Sequence, residues 1–241
     1  MGRRVRLVGF GVVATAAMVG LAPPAVAQQE DPCSTPPPGA IVGTEGNDAL
    51  AGTAGADVIV AKGGDDIVLA RGGDDEVCGG LGDDRILAGD GADMIASDDL
   101  GFFGDPQAPG GDDIVLAGAG DDSVLAGPGD DSATGGSGDD FLALAQGNDR
   151  GLGGSGADTI IGGFGEDVVL GGPEDDILAG GFDSDVVGGG PGDDTLIGDI
   201  PAMTDTGLPP SEDPNPNFDL CIGGADTDAA FLCERTLGVE S

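Results

Sequence analysis

Between Val42 and Ile197 the apolar residues of this chain come in short groups, such as Ile67-Val68-Leu69, Val168-Val169-Leu170 and Thr195-Leu196-Ile197, separated by glycine, aspartate and asparagine. The groups recur every nine residues. Glycine marks the phase at 46, 55, 64, 73, 82 and 91, at 111, 120, 129, 138, 147, 156 and 165, and again at 192, with Glu174 and Asp183 standing in the two slots between. Two residues after each slot comes an aspartate. Two residues further on sits a large aliphatic side chain in fourteen of the sixteen units, Ala133 and Gly151 being the exceptions. A disordered acidic tail has no reason to hold such a phase.

Each unit predicts one turn and one very short strand. Glycine tolerates positive φ and close backbone approach, so Gly135-Gly136-Ser137-Gly138-Asp139-Asp140 can close a tight turn whose carbonyls point to one side. The triplet that follows, Phe141-Leu142-Ala143, alternates faces and sends only its middle residue into the core. Stacking such turns at the strand spacing of roughly 4.8 Å aligns the aspartates in rows. Unit charges that close repel by ~1 kcal/mol in water and by more near a protein surface, so the stack needs cations to close. Carboxylates and carbonyls with no histidine or nearby thiolate favour a hard ion, and a flexible shell of many oxygens suits Ca2+ better than strictly octahedral Mg2+.

Composition narrows the partners and the chemistry. The 241 residues include 50 glycines and 45 acidic residues against 8 basic ones, with no His, Trp or Tyr and a net charge of −37. Such a chain repels nucleic acid, and it can approach an acidic lipid surface only through bridging Ca2+. The absence of histidine removes triad and zinc chemistry. Paired carboxylates abound but belong to the turns, and no catalytic domain fits outside the leader, the repeats and the C-terminal segment. The chain is therefore expected not to be an enzyme.

Units such as GGSGDDFLA, GGSGADTII and GGPGDDTLI resemble the GGxGxDxUx nonapeptide of the RTX, or haemolysin-type, calcium-binding repeat family. The resemblance covers about Val42 to Ile197. It implies an all-β fold, a parallel β-roll in which successive units alternate between two facing sheets and Ca2+ ions sit between turns stacked on one edge. It also implies carboxylate ligands at Asp48, Asp57, Asp66, Asp75, Asp84, Asp93, Asp113, Asp122, Asp131, Asp140, Asp149, Asp158, Asp167, Asp176, Asp185 and Asp194, with turn carbonyls completing each shell. Glu174 and Asp183 in place of the turn glycine put the geometry of their sites in question. Ala61-Lys62 and Ala70-Arg71 in place of glycine pairs should weaken theirs.

The N-terminus reads as a cleaved secretory signal over residues 1–27: Arg3, Arg4 and Arg6, an apolar run from Leu7 to Leu21, and Ala25-Val26-Ala27 before Gln28. The run is shorter than the ~20 residues a membrane span needs, and no other segment is long enough to cross. The mature chain is thus expected outside the membrane, secreted or held at the cell surface, and it keeps five basic residues against all 45 acidic ones. After the leader come an N-terminal arm, 28–41, the roll, 42–198, a linker, 199–218, and a disulfide-stapled C-terminal cap, 219–241. An irregular stretch at 97–107 separates Gly91 from Gly111. It is expected to replace one unit with a longer turn, Phe102 and Phe103 covering a local gap.

The four cysteines suit an oxidising compartment. Cys221 and Cys233 bracket the last degenerate turn and are expected to pair there. Cys78 is the third residue of Glu76-Val77-Cys78, faces outward, and is within reach of Cys33 on the arm. That closure would stabilise by roughly 4 kcal/mol in the chain-entropy model.

If only the middle of each triplet faces the core, apolar flanks remain outside. With one unit replaced, Ile67, Leu69, Leu87, Leu125, Ile161 and Ile197 fall on one sheet, and Val58, Val60, Ile114, Leu116, Val168 and Leu170 on the other. Such a face could serve self-association or contact with the cell envelope. The expected function is a secreted calcium-binding repeat protein that folds on binding several Ca2+ ions and has a structural or adhesive role. The alternative is an accessory chain of a secreted hydrolase, epimerase or toxin system.

Overall fold

The computed structural model describes residues 33, 35–98, 110–199, 220–223, 229–231 and 235–237. Among them no helix is long and apolar enough to cross a membrane. All the regular structure is parallel β. One ten-stranded sheet runs Ile41–Val42, Val58–Gly63, Glu76–Leu81, Met94–Asp98, Ser123–Pro128, Phe141–Gln146, Thr159–Phe164, Ile177–Phe182, Thr195–Asp199 and Ala229–Phe231. The facing sheet runs Ala49–Ala51, Ile67–Gly72, Arg85–Asp90, Ile114–Ala119, Ser132–Ser137, Arg150–Ser155, Val168–Leu170, Val186–Gly188, Leu220–Ile222 and Arg235–Leu237. The chain crosses from one sheet to the other at every turn, so two nonapeptides make one coil and residue pairs such as Phe141 and Thr159 or Leu142 and Ile160 lie side by side. This is a parallel β-roll. The strands at Leu220–Ile222, Ala229–Phe231 and Arg235–Leu237 continue both sheets.

The middle residue of each triplet is buried as its alternation requires: Ile59, Val77, Ile95, Val124, Leu142, Ile160, Leu178 and Leu196 from the first sheet meet Val68, Ile86, Val115, Val169 and Val187 from the second. The strands, however, are longer than the triplets. Most run six residues through the glycine pair, so a second position, two residues after the first, also points inward. That position holds Ala61, Ala70, Ala88, Ala117 and Ala126, and once Leu144. Leu144 lies across from the weakest part of the core. A Cβ built on Gly151 would meet its Cδ1 at 3.1 Å, so the leucine fills volume that Ala133 and Gly151 leave in the opposite sheet.

The irregular stretch does not replace a unit, which corrects the expectation from counting. Met94–Asp98 belongs to the first sheet and the next strand, Ile114–Ala119, to the second, pairing as Arg85 with Ile114 and Leu87 with Leu116. The units on either side of residues 99–109 therefore fill consecutive strand positions in the two sheets. Sheet alternation is counted in strands, not residues, and an insertion that supplies no strand leaves it unchanged. Consequently Ile114, Leu116, Val168 and Leu170 share a sheet with Ile67, Leu69 and Leu87, while Leu125, Ile161 and Ile197 join Val58 and Val60. Phe102 and Phe103 lie outside the described residues, as do the leader at 1–27 and most of the linker.

The arm is tied down as expected. Cys33 and Cys78 form a disulfide with Cα atoms 5.6 Å apart, and at this end the outward-facing Val60 and Cys78 are buried. Cys221 is buried in the core and disulfide-bonded, and its expected partner Cys233 lies outside the described residues.

Candidate cation-binding rows

The turns owe their shape to backbone that side chains rarely adopt. Gly136 and Gly138 have φ of 125° and 127°, and a Cβ on Gly136 would collide with the carbonyl oxygen of Gly118 one coil back. Lys62, Arg71 and Ala145 stand where other units have the second glycine, and Glu174 and Asp183 stand in the turn slot. All five keep the left-handed conformation, with φ between 77° and 90°. The turn shape survives these substitutions at a cost on the order of 1 kcal/mol each.

Stacking these turns sets the aspartates in two rows, one along each edge of the roll. Asp48, Asp66, Asp84, Asp113, Asp131, Asp149, Asp167 and Asp185 form one. Asp57, Asp75, Asp93, Asp122, Asp140, Asp158, Asp176 and Asp194 form the other. Within a row the backbone N–H of each aspartate donates to Oδ1 of the aspartate one coil further on, at 2.6–2.9 Å, and the two ladders run unbroken across the insertion. From Asp66 onward the row members are buried. In the twelve from Asp66 to Asp176, Oδ2 is also buried and has no hydrogen-bond partner.

A buried carboxylate oxygen without a donor is costly, and burial is the leading cause that pushes these groups upward. Asp140 is raised to about 6, Asp84 and Asp167 to about 7, and Asp113 and Asp149 to about 8. The ladder hydrogen bond opposes the rise in each case, and neighbouring carboxylates generally add to it. Among the described side chains no basic group answers them, because Lys62, Arg71, Arg85 and Arg150 all lie exposed on the outer surface.

The donor set fits a hard cation. Beside Gly135 the space a Cβ would fill is bounded by Oδ2 of Asp140 and the carbonyl oxygen of Gly153, and beside Gly162 by Oδ2 of Asp167 and the carbonyl oxygen of Gly180. Oxygens without intervening donors converge on these small spaces. Among the described residues no three His, Cys, Asp or Glu side chains converge as a metal site, so any ion must be held by few carboxylates and several carbonyls. Calcium accepts such a shell.

The first coil is different. Thr44 donates to Oδ2 of Asp48 through its N–H at 2.6 Å and its Oγ1 at 2.8 Å, and Thr53 donates to Oδ2 of Asp57 at 2.5 and 2.9 Å. The Thr44 backbone bond, then its hydroxyl, holds Asp48 below the ordinary carboxylate range. The sixteen aspartates equated by their spacing thus fall into two kinds. Spacing also missed Asp98, which lies outside the nonapeptide phase and yet is buried with neither carboxylate oxygen hydrogen-bonded. Its one sequence signal was an acidic pair, Asp98-Asp99, at the start of the break.

A parallel roll edged by buried rows of carboxylates defines a class of cation-dependent repeat folds. The model of the RTX calcium-binding nonapeptide repeat matches the chain at residues 42–77, 72–99, 110–142, 145–178 and 170–200, and the chain belongs to that family. Repeats of this kind bind several Ca2+ ions. No curated protein matches the chain.

Proposed function

We propose that this is a secreted, non-catalytic protein that is exported by its N-terminal leader and folds outside the cell as its turns take up calcium. The observation that carries this reading is the row of buried Oδ2 atoms without donors from Asp66 to Asp176. These residues, with Asp185 and Asp194, are the proposed carboxylate ligands. Asp48 and Asp57, satisfied by Thr44 and Thr53, instead close the open end of each row. When bound, calcium supplies the positive charge that the chain does not provide. The protein's own part is to hold one carboxylate oxygen and the turn carbonyls in place on each edge. Extracellular calcium modules bind at about 10⁻⁴ to 10⁻³ M, which suits a chain that stays unfolded inside the cell and folds outside it.

The role outside is structural or adhesive, through the bare face of the second sheet. Ile67, Leu69, Leu87, Ile114 and Leu116 are each 40–45 % exposed there, on three adjacent strands and in register, as a surface for a second copy or the cell envelope. Circular dichroism of the mature chain during a calcium titration, followed by sedimentation of the loaded form, tests both parts. A cooperative gain of β structure and a mass above that of the monomer are expected. Identical spectra in calcium and in chelator would sink the calcium reading, and a strictly monomeric loaded form that binds no hydrophobic dye would sink the adhesive one.

A further inference from the structure

Asp98 is the last residue of its strand, and its position pairs with Gly80. In the first sheet the residues at this register position, Lys62, Gly80, Gly127, Ala145, Gly163 and Gly181, all have positive φ and lead directly into a turn. Asp98 is not among the positive-φ residues, and the chain here departs into the insertion. Asp199 occupies the same register position opposite Gly181.

The Asp98 side chain is buried against Gly127 of the next strand in its sheet. It is 2 % exposed, and neither Oδ1 nor Oδ2 has a hydrogen-bond partner. Its Oδ2 and the carbonyl oxygen of Pro128 both crowd the place where a Cβ on Gly110 would sit, and Oδ2 lies 2.8 Å from the corresponding point on Gly127. Glycine on both sides leaves that space open. The charges acting on it are, in order, Asp113, Asp131 and Asp84, all members of one row. Nearby, the Ser97 hydroxyl donates to the carbonyl of Ala126 at 3.0 Å, which fixes the strand end from which the carboxylate projects. A buried carboxylate set among three others, eased only by the Gly111 N–H and with no basic side chain of the described residues beside it, is strongly destabilising unless something neutralises it.

We propose that the base of the insertion is a divalent-cation site off the nonapeptide pattern, with Asp98 as its defining ligand, a carboxylate of the adjacent row beside it and the Pro128 carbonyl completing it. It rests on the calcium reading above. It differs from the repeat positions in having a carboxylate where every neighbouring coil has a residue of left-handed backbone. Two carboxylates on one ion, rather than one per turn, make this the strongest position on that edge, and it pins the start of the insertion to the roll.

The test is the number of Ca2+ ions bound per mature chain, by equilibrium dialysis, in wild type, Asp98→Asn and Asp98→Ala. One fewer ion, lost from the tightest class, is expected in each variant that reaches the wild-type spectrum in calcium. An unchanged number and an unchanged titration midpoint in either variant overturn the site, and Asp98 is then a protonated carboxyl that binds nothing. If both variants fail to fold in saturating calcium, the site is supported, because a protonated carboxyl that held no ion would accept replacement by the nearly isosteric Asn with the roll still folded. A wild-type chain that takes up no calcium overturns the calcium reading and this site together, whereas uptake by wild type with no loss on substitution overturns this site alone.

Discussion

The first coil and those that follow carry the same aspartate in the same slot and treat it in opposite ways. At Asp48 and Asp57 the second carboxylate oxygen accepts two hydrogen bonds from a threonine of its own turn. At Asp140 or Asp149 the equivalent oxygen is buried and accepts none. The difference lies four residues upstream. Where the later units, that of Asp113 aside, have a second glycine or another residue of left-handed backbone, the first coil has Thr44 and Thr53, whose N–H and hydroxyl turn toward the carboxylate. An end coil has a neighbour on one side only, so it must satisfy its own groups, whereas an interior coil can leave an oxygen for an ion shared with the next.

The largest expected effect follows from the proton, the one cation that can stand in for calcium. Without calcium, Asp140, Asp84, Asp113 and Asp149 are pushed to about 6, 7, 8 and 8 in the folded chain, against about 4 when unfolded. Raised folded values mean that the folded state binds more protons. The resulting stability is fully present below about pH 4 and is lost as pH rises through 6 to 8. Asp48, shifted the other way, loses its contribution only under more acidic conditions. In chelator, denaturant unfolding at pH 5 should therefore show a markedly more stable roll than at pH 8, and the pH dependence should shrink once calcium is added. Equal stability at the two pH values would mean that the interior rows are not the source of the instability.

A smaller effect separates the two kinds of aspartate. Asp140→Ala removes the acceptor of the Asp122 N–H, which costs about 1–3 kcal/mol by itself, and it should raise the calcium midpoint several-fold. Asp48→Ala should lower stability without moving that midpoint. Asp139→Ala removes an exposed carboxylate whose Oδ1 accepts the Ala157 N–H at 3.0 Å, and because water can replace that acceptor its cost should fall below that of Asp140→Ala. Calcium titrations of the three variants would break the comparison if Asp48→Ala shifted the midpoint as far as Asp140→Ala.

The smallest effect sharpens it. Thr44→Ala keeps the N–H bond to Asp48 and removes the hydroxyl, with its bond to Asp48 and its two contacts to the Gly46 backbone. A slight loss of thermal stability, equal in calcium and in chelator, is expected from melting curves. A loss seen only in calcium would show that the first coil takes part in ion binding after all.

Much of this was legible in the nonapeptide phase. The core residues Val68, Leu142 and Leu196, the alignment of the aspartates and the pairing of Cys33 with Cys78 all follow from local alternation and spacing. Leu144 was not legible, because its inward position depends on a strand that continues through what the sequence marks as a turn. Nor was the sheet to which Ile114 and Val168 belong. Residue counting across the break admits either a replaced unit or an inserted loop, and only the pairing of Arg85 with Ile114 distinguishes them.

The order of residues along the chain by itself determined the coil, its core, its edges and the hard-cation chemistry of those edges, because each is a property of a period repeated sixteen times. The tertiary structure alone decided which oxygens lack a donor. That depends on what lies one coil away, 18 residues along in most of the roll and 29 across the insertion, and burial acts on space and not on sequence. Asp48, Asp98 and Asp140 are the same residue with three different surroundings, and the carboxylate responds only to the surroundings.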